Sequence, residues 1–143
     1  MVTPIRAVID TNVVFEGLTQ RGGPAGLIVS AWMAEIFQAC VSQALAYEYE
    51  DVLSRKLAPD RWARNRLVLD ALLHRAELVS VYYSWRPSSP DPGDEHVIDC
   101  GMNARAMVVT SNLRDFELAS LELQLPALTP VDFLKLLQAE AGS

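Results

Sequence analysis

The stretch "RAVIDTNVVFEGL" (residues 6–18) runs from an apolar segment into Asp10, Thr11 and Asn12 and then turns apolar again. Its first part, "AVID" (7–10), is predicted to be a buried strand, and that strand ends on a carboxylate. In open parallel sheets ligands bind beyond the carboxyl ends of the strands, where the strand order reverses, so an acid placed there is a candidate binding group. The competing reading is a helix cap, because an aspartate oxygen accepts hydrogen bonds from the first turn of a helix. Asn12 adds a second polar group where the apolar pattern predicts none.

Outward from this stretch, five short apolar runs alternate with helical patterns, the signature of a parallel sheet covered by helices and hence of an α/β fold. After the Gly-rich turn "QRGGPAG" (20–26), Leu27 to Phe37 is predicted as a helix and "QACVS" (38–42) as the second strand. Ser42 is placed to cap "QALAYEYEDVL" (43–53), and Asp60 to cap "DRWARNRLVLDALLHRA" (60–76). "ELVSVY" (77–82) is the third strand, followed by a connector, "SWRPSSPDPGD" (84–94), stiffened by three prolines. A helix over "EHVIDCGMNAR" (95–105), a fourth strand "AMVVTS" (106–111), a fifth within "LQLPALTP" (123–130) and a closing helix "VDFLKLLQAE" (131–140) complete the chain. No repeat or linker divides it.

The 143 residues are half hydrophobic and 21% charged, with a formal net charge of -6. That balance argues against a general coat on nucleic acid, since phosphate binding is driven by neutralising cations. A local basic patch remains compatible with it if several carboxylates are gathered for a divalent ion. Cys40 and Cys100 have no metal or redox spacing and sit in apolar runs, which predicts buried free thiols of a reducing cytoplasm. No apolar run reaches the roughly 20 residues of a membrane span and no leader pattern is visible, so a cytoplasmic location is expected.

Helical geometry separates the acids from one another. At about 100° per residue, Leu45, Tyr49, Val52 and Leu53 define a buried stripe, and Glu48 lies roughly 85° from its centre, with Glu50 and Asp51 further round toward solvent. Glu48 is thus the acid at the edge of the core, either a functional group or a structural hydrogen-bonder. With Val97, Gly101 and Ala104 as the inward stripe of the next helix, Asp94 falls on the inner side, where it also suits a cap, and Asp99 points away. "VVTSNLRDF" (108–116) ends the fourth strand on Thr110, Ser111 and Asn112, with Asp115 one turn later. Like charges repel unless a ligand is shared, so convergence of Asp10, Glu48, Asp94 and the Asn112/Asp115 corner implies a cation. Oxygen ligands without His or Cys favour a hard one, Mg²⁺ or Mn²⁺.

These motifs resemble the PIN-domain nucleases, in particular the VapC-like toxin components of bacterial toxin–antitoxin pairs. "VIDTNVV" is similar to the family's opening Asp-Thr-Asn motif, "SQALAYEYEDVL" to its second motif with Glu48 as the acid, and "DPGDEHVIDCGMNARAMVVTSNLRDF" to its third and fourth. "LTPVDFLKLL" is similar to the family's closing strand and helix. The resemblance implies a single PIN-like domain over 1–143, a Rossmann-like α/β/α sandwich with strand order 3-2-1-4-5. It implies a metal-dependent ribonuclease in which Asp10, Glu48 and Asp94 bind Mg²⁺ or Mn²⁺ and Asn12 orients Asp10 or the attacking water. The departure is Asn112, where many relatives carry a further acid. Either Asp115 supplies that charge as a fourth metal ligand or the site binds its metal more weakly. An RNA substrate, a protein antitoxin and a homodimer are the implied partners, with no membrane role.

"SRKLAPDRWARNR" (54–66) concentrates Arg55, Lys56, Arg61, Arg64 and Arg66 around Trp62. Such a patch can track phosphates while the indole stacks on a base. The alternative is a solvated helix face with Trp62 in the core. His74 and His96, one per helix, are expected to be surface residues. Two further readings compete with the nuclease: a PIN scaffold that has lost catalysis at its altered fourth position and binds RNA or protein, and a phosphohydrolase of another doubly wound family. The second lacks its Asp-x-Asp nucleophile motif, since Asn12 occupies the second position.

Overall fold

The computed structural model describes residues 4–84 and 94–142. Among them, β1 (Arg6–Ile9), β2 (Gln38–Ser42), β3 (Glu77–Val79), β4 (Met107–Val109) and β5 (Ala127–Leu128) form one parallel sheet in the order β3-β2-β1-β4-β5. The central strand pairs on both sides, Ala7 standing opposite Ala39 of β2 and Met107 of β4. Such strands are covered on both faces, which is why they read as unbroken apolar runs. Strand order reverses between β1 and β4, whose last paired residues are Ile9 and Val109. Asp10 continues this pairing by one bond, its N–H donating to the Val109 carbonyl at 2.9 Å.

Seven helices clothe the described sheet: α1 (Thr11–Thr19), α2 (Pro24–Met33), α3 (Gln43–Lys56), α4 (Pro59–His74), α5 (Glu95–Ala104), α6 (Glu117–Glu122) and α7 (Pro130–Ala141). A short 3₁₀ turn over Leu113–Phe116 precedes α6. α5 packs across all four of β1 to β4, while α2 meets α1, α4 and α7. Between these helices lies an aromatic chain of edge-on contacts, Trp32 with Phe37 and Tyr49 at 6.4 Å and Phe37 with Phe133 at 5.0 Å between ring centroids. Such pairs add to the burial of their area. Trp32 Nε1 donates to the Leu72 carbonyl at 2.9 Å, satisfying the one polar atom of a buried indole and tying α2 to α4.

The expected parallel α/β architecture and strand order are present, and Ser42 caps α3 by accepting from the Leu45 N–H at 3.1 Å. Several boundaries differ. The residues after Asp10 form α1 with no intervening turn, and α6 was not anticipated either. α2 spans Pro24–Met33 rather than Leu27–Phe37: Pro24 fits the first helical turn, and Glu35, with φ 57°, has left the helix and lets Phe37 turn into the core. α4 starts at Pro59 with Ala58 in the capping position, so Asp60 lies within the first turn and acts on the helix dipole instead of capping. The third strand stops at Val79. Beyond it the N–H groups of Tyr82 and Tyr83 donate to Asn103 Oδ1 at 3.0 and 3.2 Å, so a side chain takes donors that a longer ladder needs.

Both cysteines are free and buried, as expected, and burial raises Cys40 to about 11 and Cys100 to about 12. Among the described residues no helix is long and apolar enough to cross a membrane. Residues 85–93 of the proline-rich connector lie outside the described residues.

Candidate functional site

Asp10 leaves β1 at the point of strand reversal and is only 4% exposed. It occupies the capping position of α1 but makes no side-chain cap to it. Its Oδ2 instead accepts a 2.8 Å hydrogen bond from the hydroxyl of Thr110, the fully buried residue that follows β4. The same hydroxyl accepts from the Asn112 N–H at 3.1 Å, which fixes its proton toward Asp10. The helix-cap reading of Asp10 therefore loses its main support, since the oxygen is committed across the sheet.

Glu48, half-buried as its wheel position requires, is reached by a hydroxyl donor from the other side: Thr11 Oγ1 donates to Glu48 Oε2. Its helical neighbour Tyr49 is fully buried and donates its phenol to the Ile9 carbonyl, so α3 is anchored at the last residue of β1. Asn112 Nδ2 donates to Asp115 Oδ2 at 2.6 Å, and the Asp115 N–H returns to the Asn112 carbonyl at 3.2 Å, closing a turn that holds the two side chains together. Asn12 is exposed in the first turn of α1.

Burial raises the Asp10 carboxyl above its ordinary range. The Thr110 hydrogen bond and the Thr11 backbone N–H pull it back, and the charges of Glu48 and Asp115 push it up again. Two of the other expected acids, Glu48 and Asp115, thus act on Asp10 at the β1/β4 crevice. Asp94 occupies the capping position of α5, half-buried and without a side-chain cap to that helix. Because α5 leads directly into β4, it runs against the strand direction, and its first turn lies toward the carboxyl ends of the strands.

One expectation about α5 is overturned. Asp99 does not face solvent: it is 5% exposed, and Glu95, one turn before it, is 7% exposed. The helix packs on four strands and on α3, so Glu95, Val97 to Gly101 and Ala104 are all buried and no outward stripe is left at Asp99. Thr11 and Thr110 were also not singled out as positioning groups. The available signal was a hydroxyl beside an acid in "DTN" and a hydroxyl directly after a buried strand in "VVTSN".

Among the described residues no three acidic, His or Cys side chains stand close enough to hold a metal ion as placed. The donor chemistry nonetheless suits a hard cation: Asp10 is a carboxyl raised chiefly by its burial and further by the charges of Glu48 and Asp115, and a cation bound there would offset both. The basic residues Arg55, Lys56, Arg61, Arg64 and Arg66 are exposed on α3 and α4. Arg55 Nε is 3.0 Å from Asp51 Oδ2, while Lys56 Nζ stands 5.1 Å from the centroid of Phe15 in α1. Trp62 is partly buried against the core, as the solvated-face reading requires. His74 is exposed and His96 half-buried.

Comparison with known proteins accords with this arrangement. The chain is similar to VapBC2 from Rickettsia felis, solved bound to a DNA fragment from the promoter, with a TM-score of 0.63 and 13% identity over 87% of this chain and 98% of that one. It is likewise similar to VapBC-1 from nontypeable Haemophilus influenzae, with a TM-score of 0.58 and 11% identity over 89% and 99%. At such identities the likeness speaks for the fold. No curated protein sequence matches significantly. The PIN-domain family model matches residues 6–114, from the start of β1 to the turn after β4, and the chain therefore belongs to the PIN-domain family.

Proposed function

We propose that this protein is a metal-dependent endoribonuclease and the toxin of a toxin–antitoxin pair. The observation that carries the reading is the buried carboxyl of Asp10 at the β1/β4 reversal, held by Thr110 and facing the charges of Glu48 and Asp115. Membership of the PIN-domain family and the fold shared with two VapBC proteins support it. Asp10, Glu48, Asp94 and Asp115 would hold Mg²⁺ or Mn²⁺. When bound, such an ion activates water for in-line attack on a phosphodiester and stabilises the charge that develops on the phosphate.

The chain's own groups prepare that chemistry. Thr110 and Thr11 hold one oxygen each of Asp10 and Glu48, leaving the remaining lone pairs for ligation. Asn12 orients Asp10 or the water, and Asn112 fixes Asp115. Lys56, steadied by Phe15 at the outer end of the α1/α3 pair, and the arginines of α4 supply phosphate contacts. An antitoxin, an RNA substrate and a second copy of the chain are the partners this reading carries, in the cytoplasm.

The deciding experiment is cleavage of labelled RNA by the purified protein. Activity with Mn²⁺ or Mg²⁺ that disappears in EDTA and in Asp10→Asn is expected; cleavage that persists in excess EDTA overturns the metal mechanism. A second reading, a PIN scaffold that binds RNA or protein without cutting it, is favoured by the neutral amide of Asn112 at the corner where an acid is expected. RNA binding without any metal-stimulated cleavage would establish it.

A further inference from the structure

At the opposite end of the sheet from Asp10, the amino ends of β1 and β4, the C-terminus of α5 and the turn before β5 line an open cleft of about 490 Å³. Its walls are apolar, formed chiefly by Ile5, Met102, Met107, Leu123, Leu125 and Pro126. That volume lies within the range of small-molecule sites, which combine apolar walls with a few placed polar groups. Two cations reach it, Arg6 and Arg105, and no acidic residue is among the described residues that line it. The two differ in availability. Arg6 is spent on Glu77, through contacts of 2.9 and 2.5 Å, and on the Ala104 carbonyl. Arg105 is exposed and forms no ion pair among the described residues.

The backbone around the cleft is unusual in the same place. Arg105 (φ 54°) and Gln124 (φ 56°), two of the three described non-glycine residues with positive φ, both line it. Glycine or asparagine ordinarily takes such a helix-ending position, since a side chain there is strained. Here the α5 terminus places an arginine at the cleft instead. Gly101 helps form the cleft: a Cβ there would meet Leu125 Cδ1 at 3.0 Å and Val108 Cγ2 at 3.2 Å, so the lining is already tight on that side.

We propose that this cleft is a binding site for a small amphipathic carboxylate, its apolar body held by the methionine, leucine and proline walls and its carboxylate paired with Arg105. The assignment is independent of the nuclease reading, since none of the carboxylates discussed above lines the cleft.

The test uses the whole ¹⁵N-labelled protein titrated with 1-naphthaleneacetate and, in parallel, with the neutral 1-naphthaleneacetamide. Saturable shifts of the Ile5, Met107 and Leu125 amides are expected with the acid, and about tenfold weaker binding of the amide, the loss ordinarily seen for one charge-assisted hydrogen bond. Arg105→Gln should weaken the acid about tenfold and leave the amide unchanged, with an otherwise superimposable spectrum showing that the variant is folded. Met102→Trp, which fills the cleft from a half-buried position, should weaken both. Absence of saturable shifts at these residues overturns the proposal. So does equal binding of acid and amide, which would mean apolar adhesion without recognition of charge.

Discussion

Thr110 and Asp10, 100 residues apart in the chain, are joined across the β4/β1 pair by a 2.8 Å hydrogen bond in which the threonine is the donor. A hydroxyl so placed favours the ionised carboxyl, whereas burial and the neighbouring Glu48 and Asp115 favour the neutral one, and the net effect is upward. For an acid raised in the fold, stability is fully present below its unfolded pKa and is lost as pH rises through the folded one. In EDTA at pH 7, Asp10→Asn should therefore melt a few degrees above the parent, about 1 kcal/mol being worth roughly 3–5 °C at this size. The gap should close as pH falls toward 4, and Mn²⁺ should stabilise the parent more than the variant. Calorimetry across pH checks this. A variant less stable than the parent in EDTA at pH 7 would show that the charge is useful to the fold itself.

The Asn112–Asp115 pair gives an affinity prediction. A neutral amide oxygen can ligate a hard cation but adds no charge to offset it. If Asp115 supplies the missing acid, Asp115→Asn should weaken Mn²⁺ binding as much as Asp94→Asn does, and Asn112→Asp should tighten it. Titration calorimetry on the single variants and the double variant measures both effects. An unchanged affinity in Asp115→Asn reduces that residue to closing its own turn.

Replacing Arg61, Arg64 and Arg66 by Ala should weaken RNA binding regardless of sequence. It should also flatten the salt dependence by about 0.7 in log–log slope per lost contact to a single strand. Fluorescence anisotropy at several salt concentrations measures it, and an unchanged slope assigns the arginines to solvation of α4.

Glu77 offers a test away from the site. The Arg6 hydrogen bond holds its carboxyl below the usual range, so its stabilisation is present above the unfolded pKa and is lost as pH falls through the folded one. The side chains are 31% and 45% exposed, so solvent screening reduces the effect to about 0.5 kcal/mol. Urea unfolding of Glu77→Gln should show that loss at pH 7, less of it at high salt, and progressively less as pH falls below the ordinary glutamate range.

The parallel strands, Asp10 at the end of the first and Glu48 at the edge of the core were legible because buried parallel strands leave unbroken apolar runs and a helix with one buried face leaves a clear stripe; the strand order was not in those runs and came only with the resemblance to the PIN family. The same reasoning failed at Asp99, because it presumes one buried face and α5 has nearly none exposed. It missed α1 because no turn precedes it: Asp10 both ends the strand and starts the helix, and the β-branched "TNVV" carries little helical preference. It could not foresee that Thr110 would serve Asp10, since nothing local links residues 100 positions apart. The third strand was drawn too long because the claim of Asn103 on Tyr82 and Tyr83 is a tertiary effect.

The tie between Asp10 and Thr110 also bears on synthesis. During synthesis the residues of β1 and α3, including those of the Thr11–Glu48 and Tyr49–Ile9 contacts, leave the ribosome well before those of β4, while a domain generally folds as a unit. Until Thr110 has emerged and β4 has docked beside β1, Asp10 has neither its donor nor the strand that completes its burial. The crevice between β1 and β4 therefore cannot be completed until residue 110 has been made, however early β1 itself is available.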